Sequence, residues 1–109
     1  MEKTFAALGD PTRLAVINLL RDRPHRAGEL ASALQMSAPA LSRHLRVLRK
    51  SGLIADDEPD SDARVRLYRL QPAAFASMRD WLTEVEAFWG GQLEAFKVHA
   101  ESAPTDGAE

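Results

Sequence analysis

Residues 37–53 read SAPALSRHLRVLRKSGL, and the fold of the chain can be worked out from this stretch outward. Ser37 is a good helix N-cap, and Pro39 is tolerated in the first turn, where backbone amides lack intrahelical partners. Leucines recur three and four residues apart: Leu41, Leu45 and Leu48. Gly52 is the type of residue that ends helices. The stretch therefore predicts one amphipathic helix with two unlike faces.

The opposite face of this helix carries small and basic side chains, and no acidic residue occurs between positions 37 and 51. A DNA major groove admits one α-helix, whose first turns reach base edges while basic residues farther along contact phosphates. An exposed basic face taken alone is more often a solvated surface. Together with the elements that flank it, the pattern predicts a DNA-recognition helix. Its candidate DNA-binding residues are Ser37, Ala38, Pro39, Ser42, Arg43, His44, Arg46, Arg49 and Lys50.

The sequence before this helix predicts three shorter helices. Asp10 followed by Pro11 is a strong helix start, because aspartate caps free backbone amides and proline suits the first turn. Pro24 blocks continuation of that helix. A short helix precedes Asp10, and another covers roughly residues 27–34 before a break at Gln35. The last of these and the recognition helix together predict a helix-turn-helix.

A β-hairpin, called the wing below, is predicted after the recognition helix. Residues 53–55 and 64–70 read as two strands joined by a polar turn at 56–63. Arg64 and Arg66 on the second strand are candidate DNA-binding residues that can approach the adjacent minor groove. The turn carries the acids Asp56, Asp57, Glu58, Asp60 and Asp62. Phosphate repels these side chains, so we expect the tip of the wing to stay off DNA.

The last predicted helix begins at Pro72 and is apolar on more than one face, so it needs a second partner. Gly90 and Gly91 should kink or end it, since paired glycines stabilise helices poorly. Residues 99–109 are expected to form a flexible tail. We predict a homodimer through the first and last helices, which places two recognition helices about one DNA turn apart. The interface candidates are Phe5, Leu8, Phe75, Met78, Trp81, Leu82, Val85, Phe88 and Trp89.

Four helices, a two-stranded wing and a final helix predict a mainly α, winged helix-turn-helix domain over residues 1–98. The sequence resembles the ArsR (arsenical-repressor-like) family of winged-helix regulators. The resemblance rests on residues 5–14 (FAALGDPTRL), 28–31 (GELA), 42–48 (SRHLRVL), 51–54 (SGLI) and 68–70 (YRL). It implies a homodimer that represses transcription by binding an operator near its own promoter and releases that operator on a signal.

The predicted wing departs from the family pattern. Family wings usually carry a glycine before the arginine, whereas Ala63 precedes Arg64 here. They are also often basic at the tip, whereas this tip is acidic. We therefore expect Arg64 or Arg66, at the base of the wing, to make any contact between the wing and DNA.

The 109-residue chain has room for one domain and contains no cysteine. Disulfides, thiolate metal ligands and thiol nucleophiles are therefore excluded. No basic segment precedes an apolar run near the N-terminus, and no apolar run is long enough to cross a bilayer. We expect a cytoplasmic protein without a membrane partner. Its net charge of −2 hides an uneven distribution, in which basic patches still attract a polyanion.

Metal binding, cofactor binding and enzyme activity are not expected. Many family relatives sense soft metals through a cysteine pair before the recognition helix, where residues 29–34 here offer no thiolate. Others bind zinc between their last helices through spaced histidines, whereas this last helix has only His99. We expect His25 and His44 to be surface or DNA-facing residues. Ser42 and His44 lie two residues apart on a helix, so they face different sides and cannot form a catalytic dyad.

Two questions stay open at this point. The chain is either a repressor whose double-stranded DNA operator is an inverted repeat, or a winged-helix protein-interaction module whose wing or acidic loop binds a protein. Steep salt dependence of duplex binding would favour the repressor. With thiol and metal chemistry removed, the candidate effectors are a small organic ligand and a protein partner, or no effector acts at all.

Overall fold

The computed structural model describes residues 1–57 and 66–102, and it places in them five helices and three short strands. In chain order these are α1 (Glu2–Leu8), α2 (Pro11–Asp22), β1 (His25–Arg26), α3 (Ala27–Leu34), α4 (Ala38–Lys50), β2 (Ile54–Asp56), β3 (Leu67–Leu70) and α5 (Pro72–Ser102). The predicted mainly α, winged helix-turn-helix architecture is confirmed, with one strand more than the sequence predicts.

Helix α2 begins where the Asp10-Pro11 pair predicts. The Oδ1 atom of Asp10 accepts hydrogen bonds from the backbone N–H groups of Thr12 (2.8 Å) and Arg13 (3.1 Å). These bonds satisfy two amides that have no partner within the helix. The face that α2 buries consists of Val16, Ile17 and Leu20. The start of α2 is therefore fixed locally, and its direction is fixed by packing.

A tight turn connects α3 to α4. Gln35 adopts a left-handed conformation with φ 53°, and the N–H of Met36 bonds to the carbonyl oxygen of Ala31 at 3.1 Å. The hydroxyl of Ser37 then accepts the N–H of Ala40 at 3.3 Å, which caps α4 as predicted. These bonds fix where α3 ends and where α4 begins, which defines the turn of the helix-turn-helix.

Helix α4 has the two faces that its sequence predicts. Its apolar face is buried and consists of Leu41 (1% exposed), Leu45 (4%) and Leu48 (0%). The helix ends in a Schellman turn, in which the N–H of Gly52 bonds to the carbonyl of Arg49 at 3.1 Å. The next N–H, that of Leu53, bonds to the carbonyl of Leu48 at 3.1 Å. Gly52 has φ +82°, a left-handed conformation that glycine adopts without strain, so the predicted glycine stop is confirmed.

The three strands form one antiparallel sheet in the order β1-β3-β2. Strands β2 and β3 are the predicted hairpin, with Ile54 opposite Leu70. Strand β1 pairs with the other edge of β3, where His25 lies opposite Tyr68. Of the second strand predicted from the sequence, residues 64 and 65 lie outside the described residues. The base of the wing is thus hydrogen-bonded on both edges of β3.

Strand β1 and the burial of His25 correct two expectations from the sequence. A strand of two residues has no alternation to read, so the sequence predicts only a connection between α2 and α3. His25, expected at the surface, is 8% exposed, and its Nδ1 lies 2.7 Å from the carbonyl oxygen of Arg23. Its burial follows from pairing with β3, which is distant in the sequence. His25 is therefore a structural residue of the sheet.

Helix α5 is longer than the sequence predicts. It runs from Pro72 to Ser102 as one helix, so the predicted end at Gly90 and Gly91 is wrong. A glycine costs about 1 kcal/mol relative to alanine inside a helix, and the good helix formers on both sides outweigh that cost. Residues 99–102, expected in a flexible tail, are helical. Residues 103–109 of that tail lie outside the described residues.

The chain divides into two compact units, residues 1–76 and 77–109. The first unit contains α1 to α4, the sheet and the first residues of α5. Its largest fully buried side chains are Val16, Leu30, Leu41, Leu48, Leu53 and Ile54. The described part of the second unit is the remainder of α5. The predicted domain limits of 1–98 stay a prediction.

Candidate nucleic-acid interface

The outward face of α4 is open to solvent along the helix. All but one of the DNA-binding candidates on this helix are exposed: Ser37, Ala38, Pro39, Ser42, Arg43, Arg46, Arg49 and Lys50. The leucines on the opposite side are buried. One helix therefore presents a polar face to solvent and an apolar face to the core, as the residue spacing predicts.

The charge of this exposed face has one sign. Arg43, Arg46, Arg49 and Lys50 follow one another along α4, and no acidic residue occurs between positions 37 and 51. Arg49 and Lys50 lie in the last turn, where cations interact favourably with the helix dipole. The first turn offers backbone amides, which favour phosphate oxygens. The face can therefore contact a polyanion along its length.

His44 turns away from this face and toward the start of α2. Its Nδ1 lies 3.4 Å from Nη1 of Arg13 and 4.0 Å from Oδ1 of Asp10. The His44 side chain is 24% exposed, so it is half-buried between the two helices. The sequence places His44 on α4 but cannot orient its ring, because its partners belong to another helix. A contact between His44 and DNA stays a prediction.

Arg13 extends this junction to the first helix. Its Nε donates to the carbonyl oxygen of Ala7 at 2.7 Å, so one side chain connects α1, α2 and α4. The backbone N–H of Arg13 also donates to the Asp10 carboxylate, and this bond is the main reason why the pKa of Asp10 is lowered. Sequence reasoning missed Arg13 as a residue of the site, since its spacing from Asp10 gives no indication of a partner on α4.

The base of the wing contains a buried carboxylate between two arginines. Oδ1 of Asp56 lies 3.7 Å from Nη1 of Arg49, and Oδ2 lies 3.6 Å from Nη1 of Arg66. The Asp56 side chain is 8% exposed, against 43% for Arg49 and 23% for Arg66. The sequence assigned Asp56 to the acidic tip of the wing, and this is corrected: it is the last residue of β2, and its side chain is buried.

The other described acid of the predicted tip is also paired. Oδ1 of Asp57 accepts from Nε of Arg69 at 2.6 Å, in a pair whose side chains are 39% and 44% exposed. Asp57 and Arg69 therefore form a surface ion pair on the hairpin. The remaining predicted tip acids and the candidate DNA-binding residue Arg64 lie outside the described residues.

Comparisons with known proteins identify the family. Residues 10–56, which run from the cap of α2 to the end of β2, match the model described as bacterial regulatory protein, arsR family. The HTH-type transcriptional regulator Rv2034 of Mycobacterium tuberculosis is 35% identical over 105 residues, which cover 96% of this chain and 92% of that protein. The chain belongs to the ArsR family. It is therefore a DNA-binding transcription regulator and not an enzyme.

Two further similarities show how far the match of this ArsR-family regulator extends. The arsenical resistance operon repressor of Escherichia coli is 38% identical over 85 residues, covering 75% of this chain and 73% of the repressor. The solved structure of an ArsR-like transcriptional regulator from Rhodococcus sp. RHA1 matches with a TM-score of 0.78 at 30% identity, covering 94% of this chain and 92% of that one. The similarity is thus not confined to the helix-turn-helix.

An apolar cavity of about 380 Å³ opens beside the first half of α4 in this ArsR-family regulator. Its lining comes from α3, α4 and β3 and consists of Ala27, Gly28, Ala38, Pro39, Leu41, Ser42, Leu45 and Tyr68. Ala38, Pro39 and Ser42 also belong to the exposed face of α4. A molecule that filled the cavity would therefore contact residues that are predicted to bind DNA.

Within residues 1–57 and 66–102, no three side chains of histidine, aspartate or glutamate are grouped so that they could hold a metal ion. Among the helices described, none combines the length and apolar character that a membrane span requires.

The predicted dimer residues differ in their exposure. On α5, the exposed aromatic and aliphatic side chains are Trp81 (43%), Leu82 (51%), Phe88 (61%) and Trp89 (58%). The rings of Phe88 and Trp89 meet edge to face, with centroids 5.9 Å apart. Met78 is buried, and the half-buried candidates are Phe5, Leu8, Phe75 and Val85. The exposed apolar positions continue past the predicted set, at Leu93, Phe96 and Val98.

Proposed function

We propose that this ArsR-family regulator is a dimeric repressor that binds an inverted-repeat operator, with α4 in the major groove and the wing alongside. The observation that carries the proposal is the division of α4 into a buried leucine face and an exposed face whose charges are all positive. A helix of this kind fits the major groove, and its charges suit the phosphates on both sides.

The residues of α4 divide by position into two roles. Ser42 and Arg43, in the first half of the helix, are the candidates for contact with base edges. Arg46, Arg49 and Lys50 lie farther along and are assigned to phosphates. One bidentate contact between an arginine and a guanine discriminates against the wrong base by about 1–3 kcal/mol. Loss of Arg43 should therefore relax sequence preference, and loss of Arg46 should weaken binding to every sequence.

The dimer is proposed to form through α5, with α1 contributing Phe5 and Leu8. Support comes from the exposed aromatic residues of α5, since large apolar side chains on a helix surface mark a protein interface. A two-fold interface presents the same residues from both chains. Two copies of α4 would then reach half-sites about 34–36 Å apart, which is one turn of DNA.

The proposal that this regulator represses transcription rests on the names of its relatives. The Escherichia coli relative is named as the repressor of an arsenical resistance operon. Since this chain has no cysteine, an effector that needs thiolates cannot be its signal. We propose a small organic ligand or a protein partner as the effector, and a cytoplasmic location.

Duplex binding tests the proposal. Wild-type protein and its Arg43→Ala and Arg46→Ala variants are titrated against the DNA upstream of the coding gene at several salt concentrations. Affinity should fall steeply with salt and drop in both variants. Arg21→Ala, at an exposed position of α2, is the control and should bind like wild type. Unchanged binding by both α4 variants would reject the recognition helix, and absence of duplex binding at low salt would favour the protein-interaction module.

A further inference from the structure

Two arginines of the proposed DNA-binding face share one carboxylate, although they belong to different elements. Arg49 is in the last turn of α4, and Arg66 directly precedes β3. Asp56 at the end of β2 meets each of them with a different oxygen, at 3.7 and 3.6 Å. The carboxylate therefore connects the recognition helix to β2 and to the residue that precedes β3.

The Asp56 side chain is buried between charges but is not fully hydrogen-bonded. It is 8% exposed, and its Oδ2 has no hydrogen-bond partner among the described residues. A buried carboxylate is costly unless charges and hydrogen bonds compensate it, and buried ion pairs are often no better than apolar groups of the same size. The effect of Asp56 on the two arginines is therefore the property to consider.

Asp56 lowers the net positive charge around Arg49 and Arg66. The Asp56 carboxylate places one negative charge between the two positively charged guanidinium groups. Sequence-independent binding to DNA depends on how many phosphates are neutralised, so Asp56 weakens it. A guanidinium has five N–H donors, so the contact of Arg49 with one carboxylate oxygen leaves other donors of Arg49 available for phosphate.

We propose that Asp56 is a specificity-determining positioning residue, which lowers affinity for random DNA and fixes Arg49 and Arg66 for one geometry of the groove. This inference rests on the proposed DNA-binding function. A fixed pair of donors contacts phosphates well only where the backbone of the duplex passes at the matching place. Asp56 therefore raises the ratio of operator binding to random-sequence binding.

The adjacent residue provides a matched control. Asp57 also pairs with an arginine, Arg69, but both side chains are substantially exposed and Arg69 is not on the proposed DNA-binding face. Asp56→Asn and Asp57→Asn change the net charge equally and at neighbouring positions. A difference between them therefore measures the arrangement around Asp56 and not the charge of the protein.

The experiment measures binding by fluorescence anisotropy. The probes are a duplex selected from a random pool by the wild-type protein and a scrambled duplex of the same composition, over salt concentrations of about 0.05–0.3 M. For Asp56→Asn, the slope of log affinity against log salt concentration on the scrambled duplex should steepen by about 0.9, the value for one more neutralised phosphate. Relative to wild type, the variant should therefore gain about eightfold in affinity for each tenfold reduction in salt. The selected-to-scrambled ratio should fall several-fold, whereas Asp57→Asn should keep the wild-type ratio.

Two further variants secure the interpretation. In an Arg49→Gln background, Asp56→Asn should change the ratio less than in wild type, because the two residues act together. If Asp56→Asn proves unfolded by circular dichroism, Asp56→Glu replaces it. That variant keeps the charge but displaces the carboxylate, so the scrambled duplex should bind as in wild type while the selected duplex binds less tightly.

The outcomes separate this inference from the function on which it rests. If the wild-type protein selects and binds no duplex at low salt, the proposed function and this inference are both overturned. If it binds the selected duplex, but the Asp56 and Asp57 variants behave alike, only the role of Asp56 is overturned. An effect of Asp56→Asn that is equally large without Arg49 would also contradict it.

Discussion

The hydrogen bonds of Asp10 both cap the start of α2 and lower the pKa of its own carboxyl group. Its carboxylate accepts the backbone N–H groups of Arg13 and Thr12, and the first of these bonds is the largest reason why the pKa of Asp10 lies below its ordinary value of 3.8. A carboxyl whose pKa is lower in the folded state stabilises the fold above its unfolded pKa. That contribution is lost as the pH falls through the lower, folded-state pKa.

Replacing Asp10 by asparagine should separate the cap from its titration. Asparagine caps helices as well as aspartate does but does not ionise. Asp10→Asn should therefore melt near the wild-type temperature at about pH 7 and lose less stability than wild type below about pH 4. Melting followed by circular dichroism across this range measures the difference. Some acid sensitivity should persist, because the pKa of Glu29 is also lowered, chiefly by a hydrogen bond from the backbone of Arg26. Parallel pH profiles would contradict this account of Asp10.

The contact between Arg13 and His44 should be measurable as an energetic coupling. Both side chains lie at the junction of α2 and α4, 3.4 Å apart. Arg13→Ala and His44→Ala should each destabilise the fold by about 1 kcal/mol, a typical effect for a half-buried contact. Because the two residues share one contact, their effects should not add. The loss of unfolding free energy in the double variant should be smaller than the sum of the two single losses by about 0.5 kcal/mol or more. Urea unfolding of the four proteins tests this, and additive losses would show that the two residues act separately.

Helix α4 depends on signals at both of its ends. Ser37 caps the first turn, and the left-handed Gly52 closes the last. The space around Gly52 is open, since a Cβ at this position would have no atom within 4 Å apart from those of Gly52 and its two chain neighbours. Only the backbone conformation therefore demands glycine at this position. Gly90 has equally open surroundings but lies within the helix α5.

Alanine at these two glycines should act in opposite directions. Gly52→Ala should destabilise the protein by about 1–2 kcal/mol, because a left-handed conformation strains a residue with a Cβ. Gly90→Ala should increase helix stability by about 0.5–1 kcal/mol. Denaturant unfolding measures the first change, and the helical signal at elevated temperature measures the second. Equal effects of the two substitutions would show that conformation does not distinguish them.

The sequence predicts the elements that depend on neighbouring residues better than those that depend on contacts between distant parts of the chain. The starts of α2 and α4 and the stop at Gly52 depend on residues within one turn, so the sequence predicts them. Strand β1 could not be predicted, because its two residues become a strand only by pairing with β3. The same holds for the candidate site: spacing predicts which residues of α4 are exposed. It cannot place Asp56 between Arg49 and Arg66, since that burial depends on contacts between elements.

For the molecule as a whole, the assembly state is the property that most affects DNA binding. A protein that exposes Phe88 and Trp89 to more than half of their surface needs a partner for these rings. If the partner is a second copy, affinity for a two-part operator depends on the dimer. A monomer would contact a single half-site and lose most of that affinity.

A charge on this apolar surface should therefore dissociate the dimer. Trp89→Glu should sediment as a monomer at concentrations where wild type is a dimer, and its affinity for the selected duplex should fall at least tenfold, about 1.4 kcal/mol. Arg79→Ala changes an exposed residue of the same helix and should remain dimeric. Analytical ultracentrifugation with and without the duplex provides both readouts. A monomeric wild type would reject the dimer interface.

The backbone pairing of β3 limits how the wing can move. One edge of β3 is bonded to β1, which leads directly into α3, and the other to β2, which follows α4. Both ends of the helix-turn-helix are thereby fastened to the same strand. A tilt of the wing base should therefore also move the recognition helix α4, unless one of these ladders opens. An effector that reorients the wing would on this ground alter major-groove and minor-groove contacts together.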